Sequence, residues 1–112
     1  MDFEGRGSKR VDSENLLAYR LFDKDKNVIS DGMVKTLDIS KTGIAISSQK
    51  PMEPGYKIEL TIGLGEEVVK ANGIVKNQKS LPNKQYQIGI EFDFLTEEDL
   101  NKIGMLYPSI LK

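Results

Sequence analysis

The sequence predicts an all-β fold, an antiparallel barrel or sandwich, closed by one late helix. Three observations carry this. Tyr56, Ile58, Leu60 and Ile62 alternate with Lys57, Glu59 and Thr61, the period of a strand with one buried face. Tyr86, Ile88, Ile90, Phe92 and Phe94 repeat the alternation near the end of the chain, with Gln87 and Glu91 facing away. Gly, Pro and Asn turns cut the chain's apolar stretches, these two included, into six or so short strands.

Each element follows in order. Residues 1–15 are polar and contain Gly5, Gly7 and Ser8, which predicts a flexible N-terminal arm. The folded domain is expected over 16–112. From Leu16 to Phe22 the chain is strand-like, with Leu17, Tyr19 and Leu21 sharing one parity. Asp23-Lys24-Asp25-Lys26-Asn27 is a charged turn. Val28-Ile29 reads as a second short strand, Asp31-Gly32 as a turn or bulge, and Met33 to Ile39 as the next strand. On an unbroken period of two, Leu37 and Ile39 point to the core, and Asp38 and Ser40 to the outside.

Gly43 to Ser48 is a short strand with Ile44 and Ile46 inward and Ala45 and Ser47 outward. Pro51 and Pro54-Gly55 mark a loop before the strand of Tyr56 to Ile62. Gly63-Leu64-Gly65 is a hairpin connection, and a long strand runs from Glu66 to Asn77 with Gly73 as its bulge or bend. Pro82-Asn83 is a further turn. Thr96-Glu97-Glu98-Asp99 has the form of a helix start, a Thr N-cap with an acid at the third helical position. The helix spans about 96–107 and ends before Pro108.

Composition narrows the function. At 112 residues the chain is one domain with a modest core. A net charge of −1 leaves no overall field to gather polyanions, so neither DNA nor RNA is an expected partner. No apolar run approaches the roughly 18 residues that span a membrane, and the first residues lack a signal peptide's apolar centre, so a cytoplasmic protein is expected. With no histidine and no cysteine, Ser-His triads, Cys–His pairs and His-rich metal sites are excluded. Nothing assembles a nucleophile, a base and an oxyanion site, so no enzyme, metal or cofactor is expected.

Two motifs carry chemistry. Asp38-Ile39-Ser40-Lys41-Thr42-Gly43 sets a carboxylate and a hydroxyl on one side of an extended chain, about 6–7 Å apart at the backbone. Gly43 admits a positive φ or a close approach. By itself this is an ordinary Ser or Asx turn. Upstream, Arg6-Gly7-Ser8-Lys9-Arg10 places two guanidinium groups four residues apart, by itself a solvated charge cluster.

The pairing Arg-x-x-x-Arg, then Asp-x-Ser-x-x-Gly, then Gly89-Ile90-Glu91-Phe92 and Leu95-Thr96-Glu97-Glu98, resembles the PilZ family of cyclic di-GMP receptors over nearly the whole chain. The resemblance implies a six-stranded antiparallel barrel with a C-terminal helix. It implies cyclic di-GMP as ligand, held by Arg6, Arg10, Asp38, Ser40 and Gly43. Such a receptor would order its arm over the barrel and pass the signal to a partner protein. Gly5 stands where members that hold two stacked ligands commonly carry another arginine, which favours one ligand per chain. Two other readings remain beside it. One is a small barrel binding single-stranded nucleic acid, with Tyr19, Tyr56 and Tyr86 as stacking platforms. The other is a PilZ protein-interaction adaptor that needs no nucleotide.

Overall fold

The structure, a computed structural model, describes residues 16–64, 67–93 and 95–107. Six strands are followed by one helix: β1 (Leu16–Phe22), β2 (Val28–Ile39), β3 (Gly43–Ser48), β4 (Lys57–Leu64), β5 (Glu67–Ser80), β6 (Tyr86–Phe92) and α1 (Glu97–Leu106). The strands close into a barrel in the order β1-β2-β3-β6-β5-β4, every pair antiparallel, with β4 returning to β1. The six-stranded barrel with a late helix expected from the sequence is the fold observed. The arm expected over 1–15 lies outside the described residues.

The interior is filled by the alternating apolar residues. Leu17, Tyr19 and Leu21 from β1, Ile58, Leu60 and Ile62 from β4, and Ile88, Ile90 and Phe92 from β6 are all buried. Ile44 and Ile46 of β3 and Val69, Ala71 and Val75 of β5 complete the core. Helix α1 begins where Thr96 Oγ1 accepts the Asp99 N–H at 3.0 Å, and Glu97, Glu98 and Asp99 occupy its positive end. The helix lies against β4 and β5 and buries Ile103 completely. At its end the buried Tyr107 donates its hydroxyl to Thr36 Oγ1 at 3.1 Å, tying the helix to β2. Burial pushes the Tyr107 phenol above its ordinary value, and the Thr36 bond opposes this only in part.

Several boundaries differ from the sequence reading. β2 is one 12-residue strand, not two, because β1 pairs with it continuously from Lys35 back to Ser30 and carries the ladder through Asp31 and Gly32. The turn before it is as expected, with Asp23 Oδ1 accepting the Asp25 and Asn27 N–H groups at 2.8 and 2.9 Å. These bonds, the one from Asn27 foremost, hold the exposed Asp23 carboxyl below its usual range.

Strand β5 runs on to Ser80, and its irregularity is not at Gly73, which stays in register with Phe92, but between Val75 and Asn77. Gly63 and Leu64 belong to β4. Ser47, expected outside, is buried because Gln85 folds over it and accepts its hydroxyl.

Strand β2 holds the largest correction. Ile39 is buried as expected, but Leu37 is 46% exposed. The register shifts between Thr36 and Asp38, so one extra residue sits in the strand. Inward positions before the shift are Val34 and Thr36, and after it Ile39. The bulge moves the core parity from even to odd and leaves both Leu37 and Asp38 outside.

Candidate functional site

The site is built from rows of cross-strand neighbours. One buried row reads Ile39, Ile44, Ile90, Val75 across β2, β3, β6 and β5. A second reads Thr36, Ile46, Ile88, Gln78. Between them, on the outer surface, lies Asp38, Ala45, Gly89, Asn77. On β3 and β6 a single residue separates the inward positions, Ala45 and Gly89. On β2 and β5 two residues do, Leu37-Asp38 and Lys76-Asn77. The two outer strands therefore bulge at the same level, on either side of a floor made of the two smallest side chains. A bulge sharpens the local twist and re-aims its side chains. The result is a concavity of about 400 Å³ with Asp38, Ser40 and Gly43 on one side and Lys76, Asn77 and Glu91 on the other.

Ser40 follows β2 at the corner into β3. Its N–H donates to the Gly43 carbonyl at 2.8 Å, which closes the turn. Its hydroxyl stays local and loosely held. It accepts the Thr42 N–H at 3.3 Å, lies 3.3 Å from the Thr42 hydroxyl and donates to the Gly43 carbonyl at 3.4 Å. The Ser turn and the exposed acceptor pair are thus one structure, and a ligand donor in better line could replace these long bonds. Gly43 is required by close approach: a Cβ there would collide with the Ile90 carbonyl oxygen of β6. Gly89 leaves room from the other side: a Cβ there would lie 2.6 Å from Asn77 Oδ1 and 3.1 Å from Asn77 Nδ2 and would push that side chain away. The Asn77 carboxamide leans over the floor into space that a side chain at 89 would fill.

Charge is sparse and mostly acidic. Asp38 is exposed, and Glu91 meets Lys76 Nζ at 3.4 Å in a pair more than half exposed at both ends. Such a pair holds little energy and opens readily. The groove offers acceptors and a neutral amide, with its one ammonium already engaged.

The sequence-derived Asp38, Ser40 and Gly43 come together in this groove. Arg6 and Arg10 lie outside the described residues. Sequence reasoning missed Asn77, Lys76 and Glu91. Glu91 was read as merely facing away, and nothing in Val75-Lys76-Asn77 signals that a bulge turns Asn77 toward the floor. A larger hollow, about 500 Å³, lies between the β1–β2 turn and the start of β4, beside Asn72 and Asp93. It holds none of the motif residues. No group of three or more metal-ligating side chains occurs among the described residues, and no described helix is long and apolar enough to cross a membrane.

Residues 5–107 match the PilZ domain family. The chain belongs to that family. This PilZ domain also has solved structural neighbours. The complex of K. pneumonia MrkH with c-di-GMP aligns at a TM-score of 0.61 and 19% identity, over 91% of this chain and 48% of that one. MrkH in its apo state aligns at 0.58 and 19%, over 87% and 46%. The Bacillus subtilis inhibitor of motility, MotI/DgrA, aligns at 0.58 and 16%, over 86% and 46%. This PilZ domain thus spans just under half the length of these neighbours, and at such identity the likeness is one of fold. No curated protein sequence matches it.

Proposed function

We propose that this protein is a cyclic di-GMP receptor and that the groove between the two bulges is its base-binding site. The observation that carries this is the meeting of Asp38, Ser40 and Gly43 in one exposed concavity on a PilZ barrel. Guanine presents N1–H and N2–H₂ as a donor edge, and a carboxylate with a hydroxyl beside it accepts from that edge. The opposite edge, O6 and N7, is a pair of acceptors that calls for side-chain donors, of which an amide N–H or an arginine fork is each capable. The existence of a MrkH complex with c-di-GMP supports the same ligand for a barrel of this kind.

Among the described residues the groove's one lining cation, Lys76, is already paired, and Arg6 and Arg10 supply cations for the two phosphates. Strand geometry makes this feasible. Leu16 pairs with Lys35, so β1 begins near the end of β2 that carries Asp38. The gap from Leu16 to Asp38 is about 11 Å, counting three residue rises and one strand spacing. Six extended residues reach ~20 Å, enough to bring Arg10 to the groove, and Arg6 has four residues more. The arm closes over the bound dinucleotide at an ordering cost of about 1–2 kcal/mol per fixed residue, which the new contacts must exceed. The closed arm is the surface a downstream protein reads.

The deciding experiment is isothermal titration with cyclic di-GMP, with GTP as control. Saturable micromolar or tighter binding, absent for GTP, is expected, with one ligand per chain. No binding by two methods would turn the reading to a nucleotide-independent adaptor. Amide exchange in residues 1–12 should slow on saturation; unchanged exchange would remove arm closure while leaving binding intact.

A further inference from the structure

The row Asp38, Ala45, Gly89, Asn77 crosses four adjacent strands, so its ends are three strand spacings, about 14 Å, apart at the backbone. The two positions between are the smallest side chains available, which leaves the floor flat. Asn77 does not stand upright at its end. Its carboxamide folds inward over Gly89, so the open span to Asp38 is nearer two spacings, about 10 Å. That span holds one flat bicyclic base with a hydrogen bond of about 2.9 Å at each edge. The carboxamide is exposed, and among the described residues it makes no hydrogen bond. The groove therefore has a carboxylate at one wall, an uncommitted amide at the other and a planar floor between.

We propose that Asn77 is the second base-reading residue of this groove, donating through Nδ2 to N7 of the guanine whose N1–H and N2–H₂ edge is accepted by Asp38. The inference rests on the cyclic di-GMP reading above and adds to it. Guanine is the purine that fits both walls. Its N1–H donates to Asp38, whereas adenine presents a bare N1 acceptor to that carboxylate and an amino group where guanine has O6. Holding both edges of one base at the floor leaves Arg6 and Arg10 for the phosphates. The neighbouring Lys76–Glu91 pair keeps Lys76 Nζ near the same wall, where a phosphate would draw it from Glu91.

The test is a two-by-two titration of the full chain. Wild type and Asn77→Ala are each titrated with cyclic di-GMP and with its 7-deazaguanine analogue, which lacks the N7 acceptor. Asn77→Ala should bind cyclic di-GMP about 3- to 10-fold more weakly, the range for one hydrogen bond. The analogue should cost the wild type a similar factor and cost Asn77→Ala little more, because both changes remove the same bond. Asn77→Asp should lose at least as much as Asn77→Ala, since a carboxylate would face guanine's acceptors. Thermal melting of both variants should match the wild type, because the side chain is exposed. Equal affinity of Asn77→Ala and wild type overturns the role of Asn77 and leaves the receptor reading standing. So does a weaker Asn77→Ala that still pays the full factor for the analogue, which would mean that the residue only shapes the groove. Failure of the wild type to bind cyclic di-GMP overturns the receptor reading itself.

Discussion

Asp38 and Gly43 sit five residues apart in the same groove yet should fail in different ways when changed. Asp38 is exposed and among the described residues its side chain makes no hydrogen bond or ion pair, so its removal should leave stability within about 0.5 kcal/mol. Its loss as an acceptor should weaken cyclic di-GMP binding by about 1–3 kcal/mol, read by titration. Asp38→Asn should fail nearly as badly, because an amide offers one acceptor where the carboxylate offers two oxygens. Gly43→Ala is the opposite case. Its methyl would meet the Ile90 carbonyl oxygen, part of the β6 backbone, which cannot rotate away. Urea denaturation should register a loss of about 1–3 kcal/mol, whatever happens to the ligand. Gly89→Ala meets only the end of the Asn77 side chain, which can swing aside, so it should spare the fold and disturb the groove.

At the scale of elements, the bulges belong to the site more than to the barrel. Deleting Leu37 would restore a plain alternation, Thr36 in, Asp38 out, Ile39 in, with no apolar residue lost from the core. The shortened chain should fold with near-wild-type stability by denaturant titration, while the altered twist of the groove wall lowers ligand affinity at least ten-fold. Retained affinity would show that the wall's aim does not matter. The helix is held differently. Tyr107→Phe would leave the buried Thr36 hydroxyl without its donor at a cost of about 1–3 kcal/mol. Because the folded Tyr107 pKa is raised, its contribution is intact below the ordinary value of 10.0 and is lost as pH rises through the folded one. The phenylalanine variant should therefore lose less stability than wild type on alkaline titration.

For the whole molecule, the question is whether one small anionic ligand or a longer polyanion is bound. The net charge is −1, and the groove carries two carboxylates against one ammonium. A ligand with two phosphates should lose less than about ten-fold in affinity between 50 and 200 mM salt, whereas a strand contacting six or more phosphates should lose about a thousand-fold. The three tyrosines named as stacking platforms do not form one. Tyr19 is buried with its hydroxyl 2.9 Å from the Ser30 hydroxyl, and Tyr56 and Tyr86 pack against the core. MrkH is described as a c-di-GMP-dependent transcription regulatory factor, but that chain is about twice the length covered here.

What the sequence determined by itself was every strand but the undivided length of β2, the capped helix and the identity of three groove residues. These follow from local physics. A period of two sorts apolar from polar faces, Thr96 caps the next turn, and Asp38-x-Ser40-x-x-Gly43 folds as a turn within six residues. What only the tertiary structure decided was how the strands keep register with one another. Nothing local tells Leu37 or Lys76 to be the extra residue. Each bulge lets the inward rows on either side, Ile39-Ile44-Ile90-Val75 and Thr36-Ile46-Ile88-Gln78, stay in register across four strands of the barrel. That registry turned Leu37 outward against its parity, and it brought Asn77, 39 positions on from Asp38 in sequence, to the far side of a floor of Ala45 and Gly89.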